Sequence, residues 1–369
     1  MVGPYPGPAS GPTFGAEEEF LLVDPRTGEP APRNTAVATE AQRRGIELQL
    51  ELSSCQVETT SGVANSSAEL HDELTRLRRA AARAAEASGV QLLACGLPPA
   101  TPHRFPVTDT PRYRRIGAEY GMVAHEQGIC GCHVHVEVPD RAAAVHVSNW
   151  LRPWLPALLA LSANSAVYRS ADSGYASWRS VLWRRWPVAG PPPFFPSPDD
   201  YESTVRMLVD SGVILDRKML YWDVRPSDNF PTIEVRVADV PATVAETVLL
   251  STLVRAAVMT ALQGRDDRPG RLPPAALRAA YWKAAHDGLA GSGLDLFEGR
   301  GAVPARSQLE ALVRRVRPAL EALGEYDRAA TELDRIAAQG NGAMRQLRAW
   351  RERENVMDVI AEAAAATLS

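Results

Sequence analysis

The segment Phe14-Gly15-Ala16-Glu17-Glu18-Glu19-Phe20 places three adjacent carboxylates in an apolar run, and the fold prediction starts from it. It continues into Leu21-Leu22-Val23, and the apolar run predicts a strand from about Phe14 to Val23. Side chains alternate between the two faces of a strand, so Glu17 and Glu19 share one face, about 7 Å apart, and Glu18 lies on the other. Adjacent carboxylates in an apolar strand repel one another unless cations compensate them. Taken alone, the segment also fits a solvated edge strand.

A second polar pattern ends in the strand Gly131-Cys132-His133-Val134-His135-Val136-Glu137. Here His133, His135 and Glu137 share one face, and Cys132 lies on the other with the valines. Cys130 and Cys132 therefore face away from both histidines, which argues against a zinc site built from Cys and His. Two histidines on one face indicate a metal or phosphate site, and an exposed polar face is the alternative.

Two later strands repeat the pattern more weakly. In Thr232–Ala238, Glu234 and Arg236 share the face opposite the apolar side chains, and in Leu220–Arg225, Asp223 and Arg225 share a face. Each pair alone fits an ordinary surface ion pair.

Taken together, the four segments describe a site for hard cations and phosphate. Oxygen-rich ligation favours Mg²⁺ or Mn²⁺ over zinc, and arginine forks match phosphoryl oxygens. Metal ions and arginines are the usual parts of a phosphoryl-transfer site. The chain has no Walker-type glycine-rich loop, which excludes the P-loop fold at the level of sequence.

The remaining pattern is that of an α+β protein, because strands and helices mix first and helices dominate later. Ser66-x-x-Glu69 predicts a capping box at the start of a helix that Gly89 ends. The other predicted elements are strands at 46–52, 56–59 and 90–95, and helices at 141–166, 244–262, 274–289, 305–323, 326–338 and 343–367. The Pro-rich loop at 186–200 has the length of a lid. We predict a disordered tail at residues 1–12 and one catalytic domain at 13–369.

Composition narrows the class of protein. The 369 residues are 45% hydrophobic and 23% charged, so the chain has enough apolar residues to form a core. The net charge of -4 does not indicate a nucleic-acid-binding surface. The N-terminus lacks the features of a signal peptide. We count no apolar run of the roughly 18 residues that a membrane span needs, and the four cysteines form no disulfide framework. We therefore expect a cytoplasmic protein without a membrane or nucleic-acid partner.

Several stretches resemble the type 2 glutamate–cysteine ligases, also called carboxylate–amine ligases, within the glutamine synthetase superfamily. The similar stretches are Gly15-Ala-Glu-Glu-Glu19, Gln56-Val-Glu-Thr-Thr-Ser-Gly62, Thr110-Pro-Arg-Tyr113, Gly131-Cys-His-Val-His135, Asp172-Ser-Gly-Tyr-Ala-Ser-Trp-Arg179, Trp222-Asp-Val-Arg-Pro-Ser227 and Ile233-Glu-Val-Arg236. The resemblance implies a curved, mostly antiparallel sheet with helices packed outside it, and ATP and metals on the concave face.

The resemblance also implies roles for individual residues. Arg225 and Arg236 fall on positions that hold phosphate or the charge of the transition state, and His135 falls near the nucleotide phosphates. Glu18, Glu51 and Glu137 receive no role. The metal-ligand positions are Glu17, Glu19, Glu58, His133 and Glu234.

The predicted activity is that of an ATP-dependent carboxylate–amine ligase, with Arg225 and Arg236 as catalytic residues and Mg²⁺ or Mn²⁺ as cofactor. A carboxylate takes the γ-phosphate of ATP, and an amine then displaces phosphate and forms an amide. Glutamate and cysteine are the expected small-molecule substrates, by resemblance alone. Arg179 and Tyr175 are candidates for holding the carboxylate of the acid substrate, and a packing motif at a helix start explains them equally well.

Two other functions stay open at this point. One is a non-catalytic metal or nucleotide sensor of the same fold, which the set of five ligand positions and two arginines disfavours. The other is a zinc metallohydrolase that uses His133 and His135 and needs no ATP. The sequence leaves the oligomeric state open, a homo-oligomer included.

Overall fold

The computed structural model describes residues 11–101, 105–126, 128–264 and 272–369. The strands are β1 (Phe14–Val23), β2 (Gln49–Leu50), β3 (Gln56–Thr60), β4 (Gln91–Leu93), β5 (Gly131–Glu137), β6 (Val167–Tyr168), β7 (Ala171–Asp172), β8 (Val224–Pro226), β9 (Thr232–Asp239), β10 (Ser292–Leu294) and β11 (Ala302–Pro304). The helices are α1 (Asn34–Arg43), α2 (Ser67–Ala87), α3 (Pro111–Tyr120), α4 (Met122–His125), α5 (Arg141–Leu151), α6 (Leu155–Ser162), α7 (Trp178–Trp183), α8 (Pro198–Asp210), α9 (Val244–Gln263), α10 (Pro274–Asp287), α11 (Ala305–Ala322), α12 (Tyr326–Gln339), α13 (Gly342–Arg353) and α14 (Val356–Thr367).

The main sheet is antiparallel throughout. Its strands follow the order β2-β3-β1-β5-β9-β8, and β4 pairs with the C-terminal end of β1. Helices α5, α6 and α9 pack against β5, β8 and β9. The predicted α+β class, with an antiparallel sheet and helices outside it, is confirmed.

One face of this sheet is apolar and the other is polar. Val134 and Val136 of β5 and Ile233 and Val235 of β9 are buried in one cluster with side chains of α5, α6 and α9. In the first half of β1 the side chains alternate between buried and half-buried, whereas its second half is buried on both faces. The polar face is therefore confined to the part of the sheet where the glutamates and histidines lie.

Helix α9 is long and apolar enough, by length and composition, to cross a membrane, which the count of apolar runs in the sequence missed. In this structure 83% of its most apolar window is buried, and it packs against α2, α5 and α11. A helix that is apolar all round is buried either in a protein core or in a membrane, and the core accounts for this one.

The predicted helix start at Ser66 is confirmed, since the Ser66 hydroxyl accepts a hydrogen bond from Glu69 N at 3.2 Å. Two predicted helices are each divided. The stretch 141–166 breaks between Leu151 and Leu155, where Pro153 cannot donate a helical hydrogen bond. The stretch 343–367 breaks at Glu354, which adopts a left-handed conformation with φ 50°.

The strand predicted at 46–52 is only Gln49–Leu50. Beyond Leu50 the backbone leaves the ladder, because the carbonyl oxygens of Glu51 and Leu52 accept hydrogen bonds from the Thr108 hydroxyl and Thr108 N. This departure places Glu51 beside the sheet rather than within it.

Of the predicted N-terminal tail, residues 1–10 lie outside the described residues. The prediction is wrong for Gly11 and Pro12, which are buried. Arg255 Nε donates a hydrogen bond to Pro12 O at 2.7 Å, so the ordered chain begins before β1.

The Pro-rich loop at 186–200 is fastened to α5. Asn149 Nδ2 donates to Phe195 O at 2.7 Å, Phe195 N donates to Asn149 Oδ1 at 3.0 Å, and Arg152 Nε donates to Pro192 O at 2.8 Å. Beyond Trp186 its residues do not line the main cavity described below. These contacts make the segment a brace against the helix layer, and they do not support the lid interpretation.

Candidate active site

The polar face of the sheet forms the floor of a cavity of about 980 Å³. The walls of the cavity are formed by α3, by α7 and by residues 216–230. Its charged and polar lining comprises Glu17, Glu19, Gln49, Glu51, Gln56, Glu58, Arg112, His133, His135, Arg179, Asp216, Arg217, Lys218, Arg225, Ser227, Asp228, Asn229, Glu234 and Arg236. Nine of the ten residues that the sequence singled out are in this set, and Tyr175 is the exception.

Strand pairing places Glu17 at the centre of the cavity floor. Glu17 of β1 lies opposite His133 of β5 in the antiparallel register. His133 Nδ1 is 3.0 Å from Glu17 Oε2, and His135 Nε2 is 3.4 Å from Glu17 Oε1. Two residues further along β1, on the same face, Glu19 Oε1 is 3.9 Å from His133 Nε2. One carboxylate therefore faces both histidines, which share a strand face as the alternation of side chains predicted.

Glu234 occupies the adjoining strand and holds both arginines. It pairs with His135 on one side and with Arg225 on the other. Arg225 Nε donates to Glu234 Oε2 at 2.9 Å, and Arg236 Nη1 donates to Glu234 Oε1. Arg236 Nε is buried and has no hydrogen-bond partner among the described residues. Asp223, which was predicted to share the Arg225 face, is buried outside the cavity lining.

A third group of carboxylates lies at the β3 side of the cavity. Glu19 lies opposite Glu58, and Glu51 approaches both from the chain that leaves β2. The sequence predicts no role for Glu51, because the position of its side chain depends on Thr108, which draws the chain out of the β2–β3 pairing. The only signal was its alternation with Leu50 and Leu52.

The electrostatics of the cavity divide it into two parts. Burial opposes ionisation of Glu17 most strongly, yet hydrogen bonds with His133 and His135 hold its pKa well below its usual range. For Glu234 burial again opposes ionisation, and the guanidinium groups of Arg236 and Arg225 hold the pKa well below its usual range. These two carboxylates are compensated by protein cations.

The β3 side lacks such compensation. Burial, and then the neighbouring carboxylate of Glu19, raise the pKa of Glu51 to about 8. Burial and the carboxylates of Glu51, Glu17 and Glu19 raise the pKa of Glu58 well above its usual range. A buried cluster of like charges is unfavourable unless a cation joins it, so this part of the site has a deficit of positive charge.

The ligand atoms in the cavity fit divalent cations. Three groups each bring their ligand atoms within 4.8 Å of one another, namely Glu19-Glu51-Glu58, Glu17-Glu58-His133 and Glu17-His135-Glu234. Ligands on opposite sides of Mg²⁺ are about 4.2 Å apart, and carboxylate oxygens are its usual protein ligands. All five predicted ligand positions fall in these groups, and Glu51 and His135 join them.

The thiols lie outside these groups, as the parity argument predicted. Cys130 and Cys132 are both fully buried. Cys132 belongs to the apolar cluster on the opposite face of the sheet, and Cys130 Sγ accepts a hydrogen bond from Gln56 Nε2 at 3.1 Å. Burial raises the pKa of both thiols well above its usual range, so neither is poised to act as a thiolate.

Two glutamates without a predicted role are structural. Glu18, on the back of β1, forms a fully buried ion pair with Arg78 of α2, with Nη2 2.5 Å from Glu18 Oε1 and Nε 3.0 Å from Oε2. Glu137 accepts hydrogen bonds from the backbone and hydroxyl of Thr13 at 3.1 and 2.9 Å. The first pair fastens the strand that carries Glu17 and Glu19 to the helix layer.

The structure separates the two candidates for substrate binding. Arg179 lines the cavity, is 3% exposed, and is 3.7 Å from Asp239 through Nη1. Tyr175 does not line the cavity and instead packs against Trp178, Trp282 and His286. Its ring belongs to that aromatic group at the start of α7, so its position gives no support to a substrate contact.

A sequence model of the glutamate–cysteine ligase family 2 matches residues 13–362 of the chain. The chain belongs to this family.

Close relatives of this family 2 ligase span its whole length. It is 61% identical over 363 residues to the "Putative glutamate--cysteine ligase 2-3" of Mycolicibacterium smegmatis, covering 98% of this chain and 100% of that one. It is 58% identical over 359 residues to the similarly named 2-1 protein of Nocardia farcinica, covering 97% and 94%. The family and these names identify the chain as a ligase.

Two solved structures share its fold. The glutamate–cysteine ligase of Francisella tularensis, in complex with AMP, superposes with a TM-score of 0.69 at 14% identity, over 97% of this chain and 89% of that one. The bifunctional glutathione synthetase of Pasteurella multocida superposes with a TM-score of 0.67 at 15% identity, and the family 2 ligase covers 53% of its chain. At such low identity the likeness establishes the fold alone.

Proposed function

We propose that this family 2 ligase uses ATP to join the carboxylate of an amino acid to an amine through an acyl phosphate. The observation that carries the proposal is the set of three ligand groups, linked through Glu17 and Glu58, on the floor of one cavity with two arginines. Linked cation positions beside arginines suit the charge of a triphosphate. The AMP bound by the Francisella ligase of the same fold supports a nucleotide substrate here.

In the first step an oxygen of the acid substrate forms a bond to the γ-phosphorus of ATP, and the bond to the bridging oxygen breaks to release ADP. Divalent ions held by the three groups would neutralise charge on the phosphates. Arg236 keeps a buried Nε–H without a partner among the described residues, and Arg225 lines the same cavity, so the positive charge of both suits negative charge that builds on the transferred phosphoryl group. Their pairing with Glu234 fixes their orientation in advance.

In the second step the amine nitrogen bonds to the activated carbonyl carbon, and the bond from that carbon to the phosphate oxygen breaks. Phosphate leaves with the electron pair and accepts the one proton that the neutral amine loses, and an amine that arrives as an ammonium ion first gives its extra proton to solvent. The chain's part is to hold the reactants together and to limit hydrolysis of the acyl phosphate. No covalent intermediate on the protein is required, which agrees with the buried cysteines.

The substrates are proposed from the family name and the cavity. Glutamate and cysteine appear in the names of the family and of its relatives, and they are the first pair to test. Arg179 is the buried cation at the Gly131 end of the cavity, and we assign to it the non-reacting carboxylate of the acid. Neither a metallohydrolase nor a sensor is favoured by any observation, since the chain belongs to a family of ligases.

A substrate panel tests the proposal. The protein is incubated with ATP and Mg²⁺ or Mn²⁺, and with pairs of amino acids and amines, and ADP, phosphate and amide product are measured. We expect ADP release to require the acid, equimolar amide when the amine is also present, and no turnover in EDTA or with Glu234→Gln. ADP release that needs no acid, or no ADP release from any pair, would contradict the proposal.

A further inference from the structure

The cavity has two chemically different ends, separated along β5. At one end His135 lies near Phe230, with ring centroids 6.3 Å apart, and beside Glu234 and Arg225. At the other end Gly131 lies against Arg179, because a Cβ on Gly131 would fall 2.3 Å from Arg179 Nη2. His135 is four positions after Gly131 on the strand, so their Cα atoms are about 13 Å apart. The Glu17-His135-Glu234 group and the two arginines, proposed above for the phosphates, lie at the His135 end, so the Arg179 end is left for the other reactants.

An aromatic wall of Trp183, Trp186 and Tyr221 lies at the Arg179 end, where the guanidinium carbon of Arg179 is 5.9 Å from the centre of the Trp183 ring. The ring centroids of Trp183 and Trp186 lie 4.7 and 5.4 Å from that of Tyr221 and 6.3 Å from each other. Tyr120 packs behind Trp186 at 5.1 Å, and Trp186 is only 2% exposed. All three wall residues line the cavity. Mutual packing holds the wall in place before a ligand arrives.

The wall adjoins the candidate metal positions. Tyr113, which also lines the cavity, donates a hydrogen bond from its hydroxyl to Leu50 O at 2.9 Å, next to Glu51. Burial raises the pKa of Tyr221 to about 12, so its phenol stays neutral. The Tyr221 phenol therefore adds no charge to the wall, and its ring belongs to the same apolar cluster as Tyr113.

The wall also carries unused hydrogen-bond donors. The indole Nε1 atoms of Trp183 and Trp186 are buried and have no hydrogen-bond partner among the described residues. Indole nitrogens can only donate, and buried polar groups are rarely left unpaired in a finished complex. A ligand here combines an apolar body with hydrogen-bond acceptors.

We infer that the Trp183–Trp186–Tyr221 wall is the amine subsite, and that the preferred amine has a bulky apolar or aromatic body rather than the small side chain of cysteine. This inference rests on the proposed function and adds the class of the amine. Apolar surface on the amine gains from burial against the wall, which a small amine cannot match. The same apolar surroundings disfavour the charged ammonium and favour the neutral amine that forms the C–N bond.

The first arm of the test compares amines in the full-length protein with ATP, Mg²⁺ and each acid that supports ADP release. We expect kcat/KM for phenylalanine or leucine to exceed that for cysteine and glycine by roughly tenfold or more, in keeping with the discrimination that apolar pockets achieve. Cysteine or glycine as the best amine would overturn the inference and leave the proposed function standing.

The second arm uses variants. Trp183→Ala should lower kcat/KM roughly tenfold for the bulky amine and little for glycine, and Trp183→Phe should restore most of the loss. Trp282→Ala is the matched control, because Trp282 is 46% exposed and lies outside the cavity lining. Equal losses for every amine in Trp183→Ala would mean a merely structural role and would overturn the inference.

A binding measurement distinguishes a failure of the amine-subsite inference from a failure of the proposed function. If no pair releases ADP, the proposed function fails, and calorimetric titration of phenylalanine and glycine into the protein with ATP and Mg²⁺ then decides the inference. Tighter binding of phenylalanine that Trp183→Ala abolishes supports the wall as an apolar subsite. Equal binding of the two, or binding that Trp183→Ala leaves unchanged, overturns it.

Discussion

Glu19 of β1 lies directly opposite Glu58 of β3, and Glu51 brings a third carboxylate oxygen within 4.8 Å of both. No described cation of the protein pairs with this group at ion-pair distance, apart from the 3.9 Å approach of His133 to Glu19. The arrangement predicts how stability depends on pH and on metal.

We predict that the EDTA-treated protein loses melting temperature between about pH 5 and pH 8. A carboxyl group with a raised pKa in the folded state stabilises the fold below its unfolded pKa of about 4.3, and that contribution is lost as pH rises through the folded pKa. For Glu51 the folded pKa is about 8. Glu17 and Glu234 have lowered pKa values, so their contributions are lost only in more acidic solution.

The measurement is thermal unfolding across this pH range. Glu51→Gln should flatten the profile, and Mg²⁺ should raise the melting temperature more at pH 8 than at pH 6, because it competes with protons for the same carboxylates. Equal stabilisation by Mg²⁺ at both pH values would show that the Glu19-Glu51-Glu58 group does not bind it.

The Glu18–Arg78 pair gives a prediction about stability. Both side chains are fully buried, so Arg78→Met leaves an uncompensated buried charge and should lower the free energy of unfolding by about 3–5 kcal/mol. Urea unfolding measures this change. Glu18→Gln combined with Arg78→Met should recover part of the loss.

Arg76 of the same helix provides the control for Arg78. It pairs with Glu73 on the surface, so Arg76→Met should change the free energy of unfolding by about 1 kcal/mol or less. Similar losses in Arg76→Met and Arg78→Met would mean that helix propensity, not the buried pair, sets the cost.

The cysteines should be dispensable for metal binding. Cys132 lies on the face opposite the histidines, and neither Cys130 nor Cys132 belongs to a ligand group. Cys130→Ser with Cys132→Ala should therefore keep the stoichiometry of bound Mn²⁺, whereas His133→Ala should lower it. Metal content after gel filtration measures both. A folded double variant that has lost its metal would revive a zinc site built on thiolates.

Much of the site followed from the sequence because strand geometry is so regular. Alternation alone placed Glu17, His133 and Glu234 on one face and Cys132 on the other, and the strand at 14–23 has the predicted bounds. Strand order and register bring these faces together, and the resemblance to the ligase family supplied that step.

The rest depends on long-range contacts that periodicity does not encode. Glu51 reaches the site because Thr108 draws the chain away from β2, and the partner of Glu18 lies 60 residues away on α2. Tyr175 stands four residues before Arg179 in one motif, yet the turn into α7 sends its ring to a different surface. In each case contacts between residues far apart in the chain decided the outcome.

Arg236→Lys distinguishes phosphoryl transfer from nucleotide binding alone, and the proposed function depends on the former. Lysine keeps the charge but loses the planar fork, so a group that stabilises the transition state more than bound ATP should lose kcat and little affinity. ATP binding by calorimetry and turnover by ADP release are measured on the same preparations, with Arg335→Lys, outside the cavity lining, as the control. We predict that Arg236→Lys lowers kcat by roughly 100-fold or more, about 3 kcal/mol of barrier, and changes the Kd for ATP by less than about tenfold. Equal losses in kcat and in ATP affinity would contradict the proposed role of Arg236 in phosphoryl transfer.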